Sequence, residues 1–348
     1  MSTKVLENDI NELASNLQLL SELQSSSVLV TGSTGLLGSI LIKTLLKHGN
    51  IKVYAAFRNE EKFKSVFEGY HCENLIPLCS DITILNISDL SIDYVIHCAS
   101  ITDSSTFVKR PVDTLDTAIE GTKNLLNQCI NKNLKCFVYL SSLEVYGSFN
   151  DYDGIKNVKE DDCGYINNLS VRSSYSEGKR IVENYCISYM NQFNIPVKIA
   201  RLCQTFGAGV EYNDNRVFAQ FARAVIEGKD IILKTKGDTV RNYCYTTDAV
   251  AGILTGMLKG QTGTAYNIAN MNTTISIVDM ANLVCKLYPD SKSSVVFDIA
   301  EDSTKLGYNP VVKLQLDSSK LQQLGWAAKV PLDEMYKRLI EHMEEINA

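Results

Sequence analysis

The chain has 348 residues, 45% of them hydrophobic and 21% charged, which is ample for a packed core in one large or two smaller domains. A formal net charge of −6 and a pI near 5.4 argue against a nucleic-acid-binding role, which wants a basic face, while leaving room for a local basic pocket. The N-terminus is polar, with no signal-peptide pattern and no membrane-length apolar run, so a soluble, cytoplasmic protein with no membrane or nucleic-acid partner is expected.

Ile10, Leu13, Leu17, Leu20 and Leu23 recur at helical spacing, which predicts an amphipathic helix over residues 1–24, packed on the core or on a partner subunit. From Val28 to Arg201, apolar strand-like runs alternate with helical stretches. The strands are expected at 28–31, 51–57, 75–79, 94–98, 136–141 and 196–201. That alternation predicts an α/β fold with a doubly wound parallel sheet over residues 25–202. Beyond it, 203–216 reads as loop, 217–228 as helix, 230–234 and 242–246 as strands. Helices follow near 248–259, over 275–287 and from Pro331. We expect residues 203–348 to form a smaller α/β substrate lobe, some segments of which return to the larger one. Ten cysteines are scattered without a Cys-x-x-Cys pair and read as buried reduced thiols, with no metal site implied.

The first strand runs into Thr31-Gly32-Ser33-Thr34-Gly35-Leu36-Leu37-Gly38, and an amphipathic helix follows. Strand, glycines three apart and helix form the context of a dinucleotide fingerprint. Gly32 permits the turn, Gly35 lets backbone approach a pyrophosphate, and Gly38 allows close helix–strand packing. The free N–H groups and positive dipole end of the helix suit phosphates. The second strand ends at Phe57-Arg58, 20 residues after Gly38, where an NAD enzyme usually carries a carboxylate for the ribose 2′-OH. An arginine suits a 2′-phosphate, so NADP(H) is favoured over NAD. The alternative is a solvated Arg58 with the ribose held by backbone.

Further along, Tyr175 and Lys179 stand four apart in Arg172-Ser173-Ser174-Tyr175-Ser176-Glu177-Gly178-Lys179-Arg180. On a helix they share a face. An ammonium there favours the phenolate, so the tyrosine could take a proton near neutrality while a nicotinamide takes a hydride. Asp81-Ile82, Ala99-Ser100 and Ser141-Ser142 fall at strand ends, where one crevice could collect them.

Together these motifs resemble the extended short-chain dehydrogenase/reductases, and more narrowly the nucleotide-sugar epimerases, dehydratases and decarboxylases. The likeness covers about residues 25–340. It also rests on Ser141-Ser142-Leu143-Glu144-Val145-Tyr146-Gly147, Arg241-Asn242-Tyr243-Cys244-Tyr245-Thr246-Thr247-Asp248 and Leu324-Gly325-Trp326. The resemblance implies that Tyr175 is the catalytic acid/base, that Lys179 holds the nicotinamide ribose, and that Ser142 bonds the reacting oxygen. It implies that Asp81 and Ile82 flank the adenine, that Ala99 lines the dinucleotide, and that Arg241, assisted by Arg216, holds a substrate diphosphate. It also implies a homodimer through two helices of the larger lobe.

Glu144 discriminates between reactions. A carboxylate beside the tyrosine can move a proton at the carbon next to a new ketone, or it can merely buttress its loop. Similar dehydratases carry a polar residue where Leu143 stands, so dehydration is disfavoured. The tyrosine–lysine run looks closest to UDP-glucuronate decarboxylases. Gln204 and Ala118 nevertheless replace asparagines expected there, and Arg58 replaces a carboxylate. Three classes follow: a nucleotide-sugar enzyme that recycles NAD(P), an NADP(H)-dependent reductase of a nucleotide-linked sugar or polyol, and a non-catalytic NAD(P)-sensing module.

Overall fold

The computed structural model describes residues 3–70, 72–149, 152–299 and 311–347. In chain order the first half comprises α1 (Lys4–Asn16), β1 (Ser27–Thr31), α2 (Leu36–His48), β2 (Lys52–Phe57), α3 (Glu60–Val66), β3 (Leu75–Cys79), β4 (Tyr94–His97), α4 (Ser104–Lys109), α5 (Pro111–Cys129), β5 (Cys136–Ser142), β6 (Lys156–Val158) and α6 (Ser174–Phe193). The second half comprises β7 (Val197–Leu202), β8 (Gln204–Phe206), α7 (Val217–Ile226), β9 (Ile231–Leu233), β10 (Val240–Tyr245), α8 (Thr246–Lys259), β11 (Ala265–Ile268), β12 (Asn270–Ser276), α9 (Ile277–Leu287), β13 (Val295–Phe297), β14 (Leu314–Leu316), α10 (Ser319–Gln322) and α11 (Leu332–Asn347).

Seven strands form one sheet in the order β11-β7-β5-β4-β1-β2-β3, every pair parallel. The expected α/β doubly wound sheet is thus present. All six strands expected in the first 201 residues lie in it. β1 is buried along its whole length, as a strand covered by helices on both faces must be. The order reverses at β1, between β2 and β4, and ligands of such sheets sit beyond that switch point. β8, β10 and β12 form a three-stranded sheet in the order β12-β10-β8, and between β10 and β12 the chain returns to the large one: Ala265–Ile268 pairs with β7 and closes one edge.

A second apolar core, centred on Phe206, Phe218, Tyr243, Met280 and Tyr336, lies under α7, α9 and α11. Ring stacking of Phe206 on Phe218 (4.7 Å between centroids) fixes its centre.

The N-terminal segment differs from the single helix expected. Helix α1 stops at Asn16, and Gln18–Leu23 is a 3₁₀ turn. The break at Leu17 turns Leu20 and Leu23 into the core, both with no exposed surface. The helix packs on its own chain: the Asp9 carboxylate accepts from Tyr245 of β10 and pairs with Arg338 of α11 at 2.7 Å.

Cysteines are a second correction. All ten are free, but Cys72, Cys79 and Cys163 are exposed, the last two at a strand end and in a loop. No described helix is long and apolar enough to cross a membrane.

Candidate active site

A cavity of about 480 Å³ opens at the carboxyl ends of β1, β2, β4, β5 and β7. The glycine loop forms its floor. Gly32 takes φ +65°, and a Cβ there would lie 2.8 Å from the Ala99 nitrogen; a Cβ on Gly38 would lie 2.4 Å from the Gly32 carbonyl oxygen. Only glycine fits either position. The N-cap of α2 is Gly35, which has no side chain to cap with. The first-turn N–H groups, which lack intrahelical partners in any α-helix, therefore face a cavity lined by Gly35, Leu36, Leu37 and Gly38. This is the cradle a dinucleotide pyrophosphate needs, so the residues fit such a group.

A buried relay holds the cradle's roof. The Ala99 N–H donates to Thr31 Oγ1 (3.1 Å), which lies 2.7 Å from His97 Nδ1. His97 Nε2 lies 3.0 Å from Thr122 Oγ1, whose own proton goes to the Ala118 carbonyl. Thr122 must then accept from Nε2–H, leaving Nδ1 to accept from Thr31. The imidazole is neutral, since burial and the charge of Lys179 push its pKa down to about 3.

At the other end, α6 begins at Ser174, so Tyr175 lies in its first turn with Lys179 one turn on. The Lys179 Nζ donates to the Leu140 carbonyl (2.7 Å) and lies 5.7 Å from the centre of the Tyr175 ring. Phe107 of α4 stacks on the other face of the site, 4.3 Å from Tyr175 between centroids at 11°.

The expected depression of the phenol pKa does not hold in this protein alone. Desolvation and the nearby Glu144 carboxylate push Tyr175 up to about 12, outweighing Ser142 and Arg172, which favour the phenolate. Burial also brings Lys179 down to about 8.

Glu144 sits just after β5 in a short 3₁₀ turn whose N-cap is Ser142. Its two oxygens accept from Arg172 at 2.8 and 3.1 Å, and from Ser176 at 2.9 Å. Desolvation raises its pKa, but Arg172, Arg241 and Ser176 outweigh that and hold it below the usual carboxylate value. Arg172 also lies over the Phe107 ring, 4.8 Å from its centre.

Of the residues expected in the site, Gly32, Thr34, Gly35, Leu36, Leu37, Gly38, Arg58, Ile82, Ala99, Ser142, Glu144, Tyr175, Lys179, Gln204 and Arg216 line the one cavity. Three do not. Ser33 is fully buried, its N–H on the Ala56 carbonyl and its hydroxyl without a partner. Asp81 stands at the rim, its side chain partly exposed, 3.6 Å from Arg58. Arg241 is near enough to Glu144 to favour its charge, and its buried Nε has no hydrogen-bond partner among the described residues. Arg216 reaches the cavity but is held at 2.5 Å by Asp214.

Sequence reasoning passed over Lys62, Phe107 and Arg172. Arg172 stood in the quoted tyrosine–lysine run, three residues before Tyr175, and that position on a helical turn was the available signal. Nothing local marks Phe107 or Lys62.

The chain is similar to several known proteins. The chain is 27% identical over 342 residues to UDP-glucuronic acid decarboxylase 1 of Xenopus tropicalis, covering 98% of this chain and 77% of that one. It is 29% identical over 313 residues to UDP-glucuronic acid decarboxylase 6 of Arabidopsis thaliana, covering 88% and 85%. Its fold matches that of UDP-glucuronic acid 4-epimerase from Bacillus cereus, solved with UDP-glucuronic acid and NAD. There the TM-score is 0.79 at 22% identity, with 92% of this chain and 99% of that one covered. Residues 28–269, which include the glycine loop, Glu144, the tyrosine–lysine pair and Arg241, match one family throughout, and the chain belongs to that family, the NAD dependent epimerase/dehydratase family.

Proposed function

We propose that this chain oxidises the sugar of a nucleoside-diphosphate sugar at C4 with bound NAD(P), lets the keto intermediate epimerise or decarboxylate, and returns the hydride. One observation carries the reading: Tyr175, Lys179, Ser142 and Glu144 share a cavity with the uncapped first turn of α2. The nicotinamide, when bound, supplies hydride acceptance and return.

In this reading Tyr175 moves the proton of the reacting hydroxyl and Ser142 holds that oxygen. Lys179, anchored on the Leu140 carbonyl, presents a positive charge to the ribose and the phenol. Gly32, Ser33, Thr34, Gly35, Leu36, Leu37, Gly38, Ile82 and Ala99 shape the dinucleotide crevice. Asp81 flanks its adenine end from the rim. Gln204, Arg216 and Arg241 are assigned to the sugar and its diphosphate.

The ionised state of Glu144 narrows the reaction. A carboxylate held by Arg172 and Ser176 can accept a proton but has none to donate, and its neighbour Leu143 is buried and apolar. A leaving hydroxyl would find no acid there, which weighs against dehydration. A ketone β to a carboxylate needs none for the bond cleavage: the C–C pair passes into an enolate as CO2 departs, and a proton from water then closes the carbon. The relatives named for UDP-glucuronic acid chemistry favour the same class.

A second reading, net reduction of a nucleotide-linked sugar or polyol by NADP(H), is favoured by Arg58. Either enzyme would work in the cytoplasm, where ten free thiols are stable, as a homodimer through helices of the larger lobe.

The test is to incubate the purified protein with UDP-, CDP-, GDP- and dTDP-sugars and weigh the products. Loss of CO2 or an unchanged mass with inverted stereochemistry supports the proposal; loss of water overturns the reaction class. Tyr175→Phe should lower turnover about 100-fold or more while leaving dinucleotide binding intact. An unchanged rate would remove the tyrosine from the mechanism.

A further inference from the structure

The adenosine end of the cavity carries a charge pattern of its own. A carboxylate closing the second strand would accept a hydrogen bond from the ribose 2′-OH of NAD. Here that position is Phe57, 5% exposed, its ring stacked on Phe63 of α3 at 4.0 Å and 14°. Phe57 offers no acceptor, and its ring is committed to the stack on Phe63.

Two cations stand beside it. Arg58 follows directly and keeps 66% of its side chain exposed. Lys62, placed by Asn59 capping of α3, lines the same cavity. The only carboxylate among the lining residues is Glu144, at the opposite end and engaged by Arg172 and Ser176. The cavity therefore presents positive charge and no acceptor carboxylate where the adenosine ribose would lie.

Both cations have carboxylate partners at the rim, and each pair is weak. Arg58 lies 3.6 Å from Asp81, beyond hydrogen-bond length, with both side chains well exposed. The Lys62–Glu211 pair, at 2.5 Å, reaches from the larger lobe to the loop before α7 and is also exposed. Such pairs are screened by water and salt and are readily exchanged. Asp81 itself is tied elsewhere, its other oxygen accepting from the Thr83 N–H and hydroxyl at 2.9 and 2.7 Å. Swinging Arg58 toward the cavity thus strands no buried charge. A phosphomonoester carries nearly two negative charges at neutral pH, and a guanidinium fork binds it in two places at once.

We infer that this end of the cavity is a 2′-phosphate subsite, with Arg58 as the fork and Lys62 as the second cation, and that the chain selects NADP(H) over NAD(H). The inference rests on the dinucleotide reading above and sharpens it, because a family named for NAD would then include a member with the opposite preference. It also weights the net-reductase reading.

Titrating the purified full chain with NADPH and NADH, followed by nicotinamide fluorescence, tests this without reference to turnover. NADPH should bind at least about 10-fold more tightly than NADH, and the gap should narrow as salt rises. Competition by 2′,5′-ADP should exceed that by 5′-AMP. Arg58→Ala should close the gap by weakening NADPH alone, and Glu211→Gln, which releases Lys62, should widen it. Equal or tighter binding of NADH, or an Arg58→Ala variant that weakens both cofactors alike, would overturn the subsite while leaving the dinucleotide reading intact. Failure to bind either cofactor would overturn both. Arg58, Lys62 and Glu211 are surface residues, so these substitutions leave the core intact.

Discussion

The two ends of the cavity are built on opposite principles. The pyrophosphate cradle is made of backbone: glycines admitted by steric need, open N–H groups of α2, and a neutral relay from Ala99 through Thr31 and His97 to Thr122. The end proposed for the sugar is built round ion pairs: Glu144 with Arg172, Ser176 and Arg241 about it, and Arg216 on Asp214. Backbone geometry is fixed by a few residues in a row, so it tolerates little change and reads clearly from sequence. An ionic constellation is assembled from separate segments and can be retuned by one substitution.

The sharpest way to break the backbone end is Gly38→Ala. A methyl placed 2.4 Å from the Gly32 carbonyl forces the loop open at a cost of about 1–3 kcal/mol or more. Dinucleotide binding, followed by fluorescence titration, should fall at least tenfold, with a matching drop in melting temperature. A variant that binds as before would mean the loop is not the cradle.

A smaller effect should separate the two roles open to Glu144. Arg172→Met removes the fork that holds the carboxylate ionised, so its pKa rises toward the value burial alone would set. If Glu144 accepts a proton during the reaction, activity requires its ionised form. That form persists above its pKa and is lost as pH falls through it, so the acid limb of the kcat profile should move to higher pH. Arg172→Lys should partly restore the limb. A lowered kcat with an unmoved limb would leave Glu144 a buttress. Loss of the Phe107 contact adds a rise in KM that the charge argument does not predict.

The gentlest probe is the pH dependence of stability. His97 has a folded pKa of about 3 against an ordinary 6.5, and His342 about 4 for the same reason, burial. Between those values the unfolded chain binds protons that the folded one refuses. The stabilisation is therefore complete above pH 6.5 and is lost as the pH falls below it. Melting temperature should decline through that window, and His97→Asn should flatten the slope. A slope unchanged by the substitution would assign the decline to other groups.

Local sequence carried the sheet and the cofactor cradle because both depend on neighbours in the chain. Alternating apolar runs gave six strands of the large sheet within one or two residues of their observed ends, and glycine spacing marked the loop. Tyr175 and Lys179 were legible because four residues on a helix make one turn. The N-terminal helix was legible as an amphipathic pattern, but not its break at Leu17 or its pairing of Asp9 with Tyr245 and Arg338, residues more than 200 positions away.

Tertiary structure alone decided the rest. Strand β11 rejoins the large sheet midway through the segments that build the second core, because its partner β7 is reached only after the chain folds back. Tyr175 shifts upward because burial and Glu144 outweigh the groups that favour the phenolate, and desolvation is not written in residue spacing. Arg172 meets Glu144 and Phe107 only when α6, the turn after β5 and α4 converge. Periodicity and steric need act along the chain and can be read there; charge and solvation act through space and appear only when the chain has closed on itself.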